Sequence, residues 1–364
     1  MKILFDARVL GNHMHGIARY SLNLLKCLLE PGRGHDYSVL ISRPQVQEWF
    51  GPDVAARFIR TDIPLYSLQE QWLIPALLRR ERFDLYHSPT YAIPWLFSSR
   101  GILTIHDLIH LLFPADYGLK HRLYYALLVR HSISRCQKVL TVSEQSKKDI
   151  IRLLKGNPDK VMVVPNGLEP QWGPRIPDPV FMERNSLSKG FLLFVGNPRP
   201  HKNFLRVRSA FERLVREEGY PGKLVVVGVA PTEGAGDLTD RMIFFPFCDD
   251  AELATLYSAA DLLAAPSLYE GFGLPVLEAM ACGCPVLIGR EGALPEITGE
   301  AGVRVDPYAV DSILEGLKKI LFQPDFRQTL RKRGLAQAAL FSWEESARKV
   351  LKAYEDIGRN RSAH

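Results

Sequence analysis

Two carboxylates flanking a glycine-containing turn mark the segment with the densest chemistry. It runs Pro266-Ser267-Leu268-Tyr269-Glu270-Gly271-Phe272-Gly273-Leu274-Pro275-Val276-Leu277-Glu278-Ala279-Met280-Ala281 and follows the apolar run Leu262–Ala265. Gly271 and Gly273 carry no Cβ, so backbone there can come close to a ligand. Pro275 stands where the first positions of a helix belong. The segment therefore reads as strand, loop and helix N-terminus. Amides of Gly271, Phe272, Gly273 and Leu274 would lie at the positive end of the helix dipole, a setting for anionic oxygen. Glu270 lies in the loop and Glu278 about one turn into the helix. An ionised carboxylate only accepts hydrogen bonds, so the pair suits a ligand rich in hydroxyls. On spacing alone a second reading stands beside this one. Two acidic side chains near a helix start also favour it electrostatically, by roughly a few tenths of a kcal/mol each.

The segment resembles the E-x7-E motif of glycosyltransferase family 4, with Glu270 and Glu278 at its two acidic positions and Glu-Gly-Phe-Gly-Leu-Pro around the first. The resemblance implies that Glu270 meets a donor sugar and Glu278 the ribose of its nucleotide. It extends over most of the chain. Gly16-Ile17-Ala18-Arg19-Tyr20 is similar to the family's glycine-rich turn after its first strand, which makes Gly16 a donor-binding candidate. Thr104-Ile105-His106-Asp107-Leu108, Thr141-Val142-Ser143-Glu144, Pro165-Asn166-Gly167 and Leu294-Pro295-Glu296-Ile297 also resemble family segments. In Gly196-Asn197-Pro198-Arg199-Pro200-His201-Lys202-Asn203 the resemblance implies cations for the donor diphosphate. Lys202 matches the family lysine. The family arginine is replaced by Asn197, and Arg199 is the residue placed to take over. Phe245-Pro246-Phe247-Cys248-Asp249-Asp250 is similar to the strand end before an acidic helix start. Backbone near Phe247 would then read the nucleotide base, against a reading of Phe247 as core.

The family retains anomeric configuration, so the resemblance implies departure of the diphosphate and attack of the acceptor on one face of the sugar. Glu270 is then a positioner, and Lys202, Arg199 and loop amides take the developing charge without a metal. His106 ends the apolar run Gly101–Ile105, where open α/β sheets bind ligands. It is the candidate for a hydrogen bond to the donor sugar near the reacting centre, with Asp107 orienting it. His106 and His110 also stand at i and i+4, but the metal-binding pattern with that spacing needs Glu after the first His and a helix carrying both. Here Asp follows and a strand precedes.

The elements that must position these residues alternate. Candidate strands are Lys2–Asp6, Tyr37–Ser42, Leu85–His87, Gly101–Ile105, Lys138–Val142 and Val161–Val164, then Phe191–Gly196, Lys223–Val227, Met242–Phe245, Leu262–Ala265, Pro285–Ile288 and Gly302–Val305. Continuous apolar strands between helical patterns predict parallel sheets and an α/β fold. The Pro-dense stretch from Pro165 to Pro179 separates two series and reads as a linker. The expectation is the GT-B architecture: two Rossmann-like, doubly wound domains facing across a cleft. Residues 1–168 form the acceptor-binding domain and 169–342 the nucleotide-sugar domain. A C-terminal helix over 343–364 packs back on the first domain. Ser342 with Glu345 predicts its capping box, and the helix should run to about Gly358.

The 364 residues carry a formal net charge of +6, which leaves nucleotide-sugar, anionic membrane and nucleic acid open as partners. No nucleic-acid module is recognisable. The five cysteines form no C-x-x-C pair, which points to a reducing compartment. No apolar run reaches membrane-spanning length and no signal peptide is seen, so the expected location is cytoplasmic. Tyr117–Arg135 pairs basic with apolar residues at helical spacing. It reads either as a contact with an anionic membrane at its inner face, with a lipid-linked acceptor, or as a core-packed helix. His201-Lys202-Asn203 after the second-domain strand, with His106-Asp107-Leu108, resembles bacterial mannosyltransferases of O-antigen or exopolysaccharide pathways. The resemblance implies GDP-mannose as donor, in preference to UDP-glucose, and a saccharide or lipid-linked acceptor of cell-surface polysaccharide synthesis. No cofactor is expected. An epimerase or hydrolase of the same fold, and a non-catalytic nucleotide-sugar-binding protein, are the competing readings.

Overall fold

The computed structural model describes residues 1–11, 14–52, 54–91, 93–114, 128–231 and 240–362. The chain divides into two compact units, one of Met1–Gly167 with Ser342–His364 and one of Leu168–Phe341.

The first unit is built on a parallel seven-stranded sheet of order β3-β2-β1-β4-β5-β6-β7. Its strands are β1 (Lys2–Asp6), β2 (Asp36–Ile41), β3 (Ala56–Arg60), β4 (Leu85–Ser88), β5 (Gly101–Ile105), β6 (Lys138–Thr141) and β7 (Val161–Val163). Its longer helices are α1 (Gly16–Leu28), α2 (Glu70–Arg80) and α3 (Glu144–Leu154). Ile3, Leu4 and Phe5 are fully buried, as are Leu85, Ile102, Leu103, Val139 and Leu140. Strands covered on both faces demand such unbroken apolar runs. The order reverses between β1 and β4, where Ile3 pairs with Tyr37 on one side and Leu85 on the other.

The second unit carries a parallel six-stranded sheet of order β10-β9-β8-β11-β12-β13. Its strands are β8 (Leu192–Val195), β9 (Leu224–Val227), β10 (Met242–Phe245), β11 (Leu262–Ala265), β12 (Val286–Gly289) and β13 (Gly302–Val305). Its helices include α4 (Phe204–Glu218), α5 (Asp250–Ala259), α6 (Leu274–Ala281), α7 (Leu294–Thr298), α8 (Val310–Leu321) and α9 (Pro324–Ala338). Phe194, Leu224 and Leu287 from the sheet meet Phe211, Leu214, Ile313 and Leu317 from α4 and α8 in one core. Here the order reverses between β8 and β11.

The last helix, α10 (Trp343–Ser362), belongs to the first unit. Ser346 Oγ donates to the Pro165 carbonyl at 2.6 Å, and Arg361 Nη1 to the Asp84 carbonyl at 2.7 Å. A Cβ on Gly167 would lie 2.3 Å from the Trp343 amide nitrogen, so the chain passes this point only as glycine. Ser342 caps the helix by accepting from the Glu345 amide at 3.1 Å. The expected capping box stays half made, because the Glu345 carboxylate pairs with Arg348. The helix also outruns its expected end at Gly358, reaching Ser362.

Each expected strand is present with its ends within one residue. The sheet's edge strand β3 escaped the sequence reading. Ala-Arg-Phe-Ile-Arg is half-exposed and lacks the apolar run of a buried strand. Tyr117–Arg135 lies mostly outside the described residues. Its tail, Arg130–Arg135, is helical with Ser132 and Ile133 buried. No helix among the described residues is long and apolar enough to cross a membrane.

Candidate functional site

The second unit concentrates its chemistry where its strand order reverses. The loop after β8 ends in a tight turn, Pro200–Lys202, and the loop after β11 carries Ser267 and Glu270. Asn203 ties the two loops together. It sits in the left-handed region at φ 66°, almost fully buried, and its amide group donates to the carbonyls of Pro266 (2.9 Å) and Pro307 (2.6 Å). Its Oδ1 accepts from Arg206 at 2.9 Å. A backbone bond from Leu268 to His201, 2.8 Å, adds a second tie. With the loops fixed in this way, Lys202 Nζ lies 2.7 Å from Glu270 Oε1. The Ser267 hydroxyl donates to the same oxygen at 2.8 Å.

Glycine is required around this pair. Gly273 caps α6 at φ 99°, and a Cβ there would lie 2.3 Å from Leu294 Cδ2. Gly292, at φ 75°, would bring a Cβ within 2.8 Å of the Glu270 amide nitrogen. Beside it the Ala293 amide donates to the Glu270 carbonyl at 3.0 Å. The backbone of Glu270 is thus held by the Gly292–Ala293 loop while its carboxylate remains partly open. The start of α6 lies at a positive dipole end. There Pro275 has no N–H, and the Val276 and Leu277 amides donate to the Gly273 carbonyl at 3.0 and 3.2 Å.

The other expected residues of this unit fall differently. Gly271 and Leu274 lie on the same turn as Glu270. The Phe272 ring is buried against Phe341, edge to face at 5.8 Å. The ring therefore packs the unit, and the backbone is what Phe272 can offer a ligand. Glu278 is buried at 6% exposure and accepts from the Tyr257 hydroxyl at 3.3 Å. Burial first and the neighbouring Glu278 next push the Tyr257 phenol well above its ordinary value, so it remains a hydrogen-bond donor. Arg199 is exposed, with its amide on Asn197 Oδ1 at 3.3 Å. Phe247 is 80% exposed, so it does not belong to the core.

In the first unit, Gly16 opens α1 and is exposed. His106 stands at the end of β5. Its Nε2 is 3.0 Å from the Pro89 carbonyl, and its ring meets Tyr20 edge-on at 4.7 Å. Burial pushes its pKa down to about 4, against a smaller upward pull from the Pro89 carbonyl and with a small further lowering by His15. The ring is neutral at pH 7, Nε2 carries the proton that the carbonyl accepts, and Nδ1 offers a lone pair to a hydroxyl. Among the described residues no group of three or more His, Cys, Asp or Glu is arranged to hold a metal ion.

A model of glycosyl transferases group 1 matches residues 181–337, and one of Glycosyltransferase Family 4 matches residues 14–172. The chain is 31% identical to the O-antigen chain mannosyltransferase B of Escherichia coli, over 98% of this chain and 100% of that one. The chain belongs to glycosyltransferase family 4. This glycosyltransferase is also 27% identical to the serotype-specific mannosyltransferase WbdA of Escherichia coli. That match covers 73% of this chain and a third of WbdA (34%). Its GT-B fold is shared with sucrose-phosphate synthase of Thermosynechococcus elongatus, at TM-score 0.74, 24% identity and 99% of each chain. It is shared as well with Anabaena HepE in complex with UDP-glucose, at TM-score 0.75, 16% identity, 98% of this chain and 100% of that one.

Sequence reasoning missed two parts of this glycosyltransferase. Ser267, Asn203 and Gly292 support Glu270, but each reads locally as an ordinary loop residue. The first unit's own switch point holds a buried cluster. Arg8 Nη2 reaches Asp6 Oδ2 at 2.6 Å and Glu70 Oε1 at 3.0 Å, and Tyr86 donates to Asp6 at 2.5 Å. Charged residues inside an apolar series, Asp6 and Arg8 directly after Ile3–Phe5, were the available signal.

Proposed function

We propose that this glycosyltransferase transfers mannose from GDP-mannose, with retention and without a metal ion, to a saccharide or lipid-linked saccharide of O-antigen-type surface polysaccharide. The observation that carries the reading is the Lys202–Glu270 pair at the switch point of the second sheet. A cation and a carboxylate in contact there suit the two halves of a nucleotide-sugar. Lys202, with Arg199 and the amides leading into α6, faces the diphosphate. Glu270 accepts from sugar hydroxyls, Glu278 from the ribose, and backbone beside Phe247 reads the base. Kinship over the whole chain with an O-antigen mannosyltransferase supports mannose.

The bond from the anomeric carbon to the phosphate oxygen breaks as the acceptor oxygen bonds to the same face. The departing phosphate oxygen takes the acceptor's proton. One cation about 4 Å from that charge is worth up to about 4 kcal/mol at an effective dielectric near 20. The loops that fix Lys202 orient it before the charge develops, which is what makes such a contact catalytic. Neutral His106, with Nδ1 as acceptor, and the turn at Gly16 are the first unit's own candidates for a donor contact. Contact of the Tyr117–Arg135 stretch with the inner face of the membrane belongs to the same proposal.

A thermal-shift series over GDP-mannose, UDP-glucose and UDP-GlcNAc tests the donor, since a ligand bound to the folded state raises the melting temperature. GDP-mannose should give the largest rise. Proton NMR of the product should show the α-anomer from the α-linked donor. No shift with any nucleotide-sugar removes the reading. Donor loss without an acceptor product would make the chain a hydrolase.

A further inference from the structure

The first unit holds a second candidate site, a cavity of about 260 Å³ lined by Tyr66, Trp72, Tyr91 and Trp95 together with Ser67 and Gln71. Tyr66–Gln71 follow β3 and Tyr91 follows β4, so the cavity opens at the carboxyl side of the sheet, where α/β folds bind ligands. We infer that this cavity is the subsite for a neutral hexose ring of the acceptor, an inference that rests on the glycosyltransferase reading above.

The cavity is built rather than incidental. Tyr66 lies in the left-handed region at φ 64°, an uncommon conformation for a bulky side chain. Its amide donates to the buried Glu70 carboxylate at 2.8 Å, and Arg8 Nη1 holds the Ile63 carbonyl at 3.0 Å. So held, Tyr66 stacks on Tyr91 with ring centres 5.1 Å apart and 23° between planes, and still keeps 43% of its surface exposed. Gln71 Oε1 accepts from the Trp95 amide at 3.0 Å, which joins the two walls. Trp72 and Trp95 are 62% and 44% exposed.

Charge selects the occupant. Among the described lining residues the charged one is Glu70, and it is spent on Arg8 at 3.0 Å. The described wall offers no cation to a phosphate or an anionic headgroup. It does offer flat rings with polar tips and the Gln71 amide, beside apolar Leu68, Ile93 and Leu128. A hexose presents C–H groups on its faces and hydroxyls at its rim, matching rings bordered by polar groups. A hydrocarbon tail would desolvate the Gln71 amide group without giving it a partner, which is unfavourable.

The test uses the full chain with Trp72→Ala, Trp95→Ala and the conservative Trp72→Phe. With GDP-mannose as donor, each alanine variant should raise KM for methyl α-mannoside or mannobiose about five-fold, as expected for a lost aromatic contact. Trp72→Phe should recover most of the loss, and the melting shift with GDP-mannose should keep its wild-type size. Tryptophan fluorescence titrations with mannobiose, cellobiose and galactobiose test the cavity without any donor. Saturable quenching by one of them, weakened in Trp72→Ala, supports the inference even if GDP-mannose proves the wrong donor. Unchanged acceptor KM, or no quenching by any of the three, overturns it. So does binding to phosphatidylcholine vesicles that is lost in Trp72→Ala while soluble acceptors are used normally, because the face would then be a lipid contact.

Discussion

At the switch point of the first sheet, Arg8 is shared between Asp6 and Glu70, and the three side chains are 1–3% exposed. At that of the second sheet, Lys202 meets Glu270 with 16% and 13% of their side chains exposed. The two sheets share one strand order around the reversal, so topology does not separate these pairs. Burial and saturation do. Asp6 also accepts from Tyr86 and the Arg8 amide, and Glu70 from the Tyr66 amide, so little of the buried cluster is left for a ligand. The Lys202–Glu270 pair is fixed through backbone and Asn203, while its charged ends stay near solvent. The first pair braces loops, and the second is the one free to exchange partners with a ligand.

The largest effect should come from breaking the brace. Arg8→Met leaves Asp6 and Glu70 buried without their cation, which typically costs about 3–5 kcal/mol. Urea unfolding followed by circular dichroism should show the midpoint falling sharply. A second change, Glu70→Gln, should recover part of the loss by removing one stranded charge. A midpoint that barely moves in Arg8→Met would mean that the cluster is not the support assigned to it.

Lys202→Ala inverts that pattern. A partly exposed ion pair contributes only about 0–1 kcal/mol to stability. Losing a preorganised charge contact in the transition state lowers turnover by about 10²–10³-fold. The variant should therefore melt near the wild type and transfer sugar poorly. Near-normal turnover would remove Lys202 from the site, whatever happens to stability.

Much of the fold was legible because buried parallel strands must be continuously apolar, and the runs at Lys2–Asp6, Gly101–Ile105, Met242–Phe245, Leu262–Ala265 and Gly302–Val305 have the observed bounds. Edge strand β3 was not legible, since Arg57 and Arg60 on a half-solvated edge obey no such rule. The local part of the site was equally readable. Glu270, Gly273 and Pro275 declare a strand-loop-helix junction within a dozen residues. What could not be read was coupling between distant segments. That Asn203 bonds Pro266 and Pro307, or that Tyr66 hangs on Glu70 and Arg8, depends on contacts no local pattern encodes. Phe272 shows the same limit, since its ring serves the core while its neighbours line the turn.

Acid should weaken the first unit in particular. Burial holds the His87 ring down to about 3 and is the main cause that holds His106 down to about 4. Both values lie below the ordinary 6.5, so between those limits the unfolded chain binds more protons than the folded one. Stability from these rings is present above pH 6.5 and is lost as pH falls towards 4 and 3. The fully buried His87 contributes a slope approaching about 1.4 kcal/mol per pH unit, and the partly exposed His106 less. Melting temperatures from pH 7 to pH 4.5 should drop steeply, and His87→Asn should flatten that drop. An unchanged profile in the variant would assign the acid sensitivity elsewhere.

The smallest effect concerns the two acids of the proposed donor site. Glu278 is buried and receives the Tyr257 hydroxyl, whereas Glu270 is partly open beside Lys202. If the deeper acid holds the ribose and the shallower one the sugar, free GDP should distinguish them. Tyr257→Phe removes one long hydrogen bond, worth about 1 kcal/mol, and should weaken GDP binding about five-fold or less by loosening one of the contacts on the Glu278 carboxylate. Glu270→Gln should leave GDP binding near the wild type and lose the extra affinity that the hexose of GDP-mannose provides. Calorimetric titration with both ligands reads the two changes separately. If Glu270→Gln weakens GDP as much as GDP-mannose, the division of labour between the two carboxylates fails, although both remain in the site.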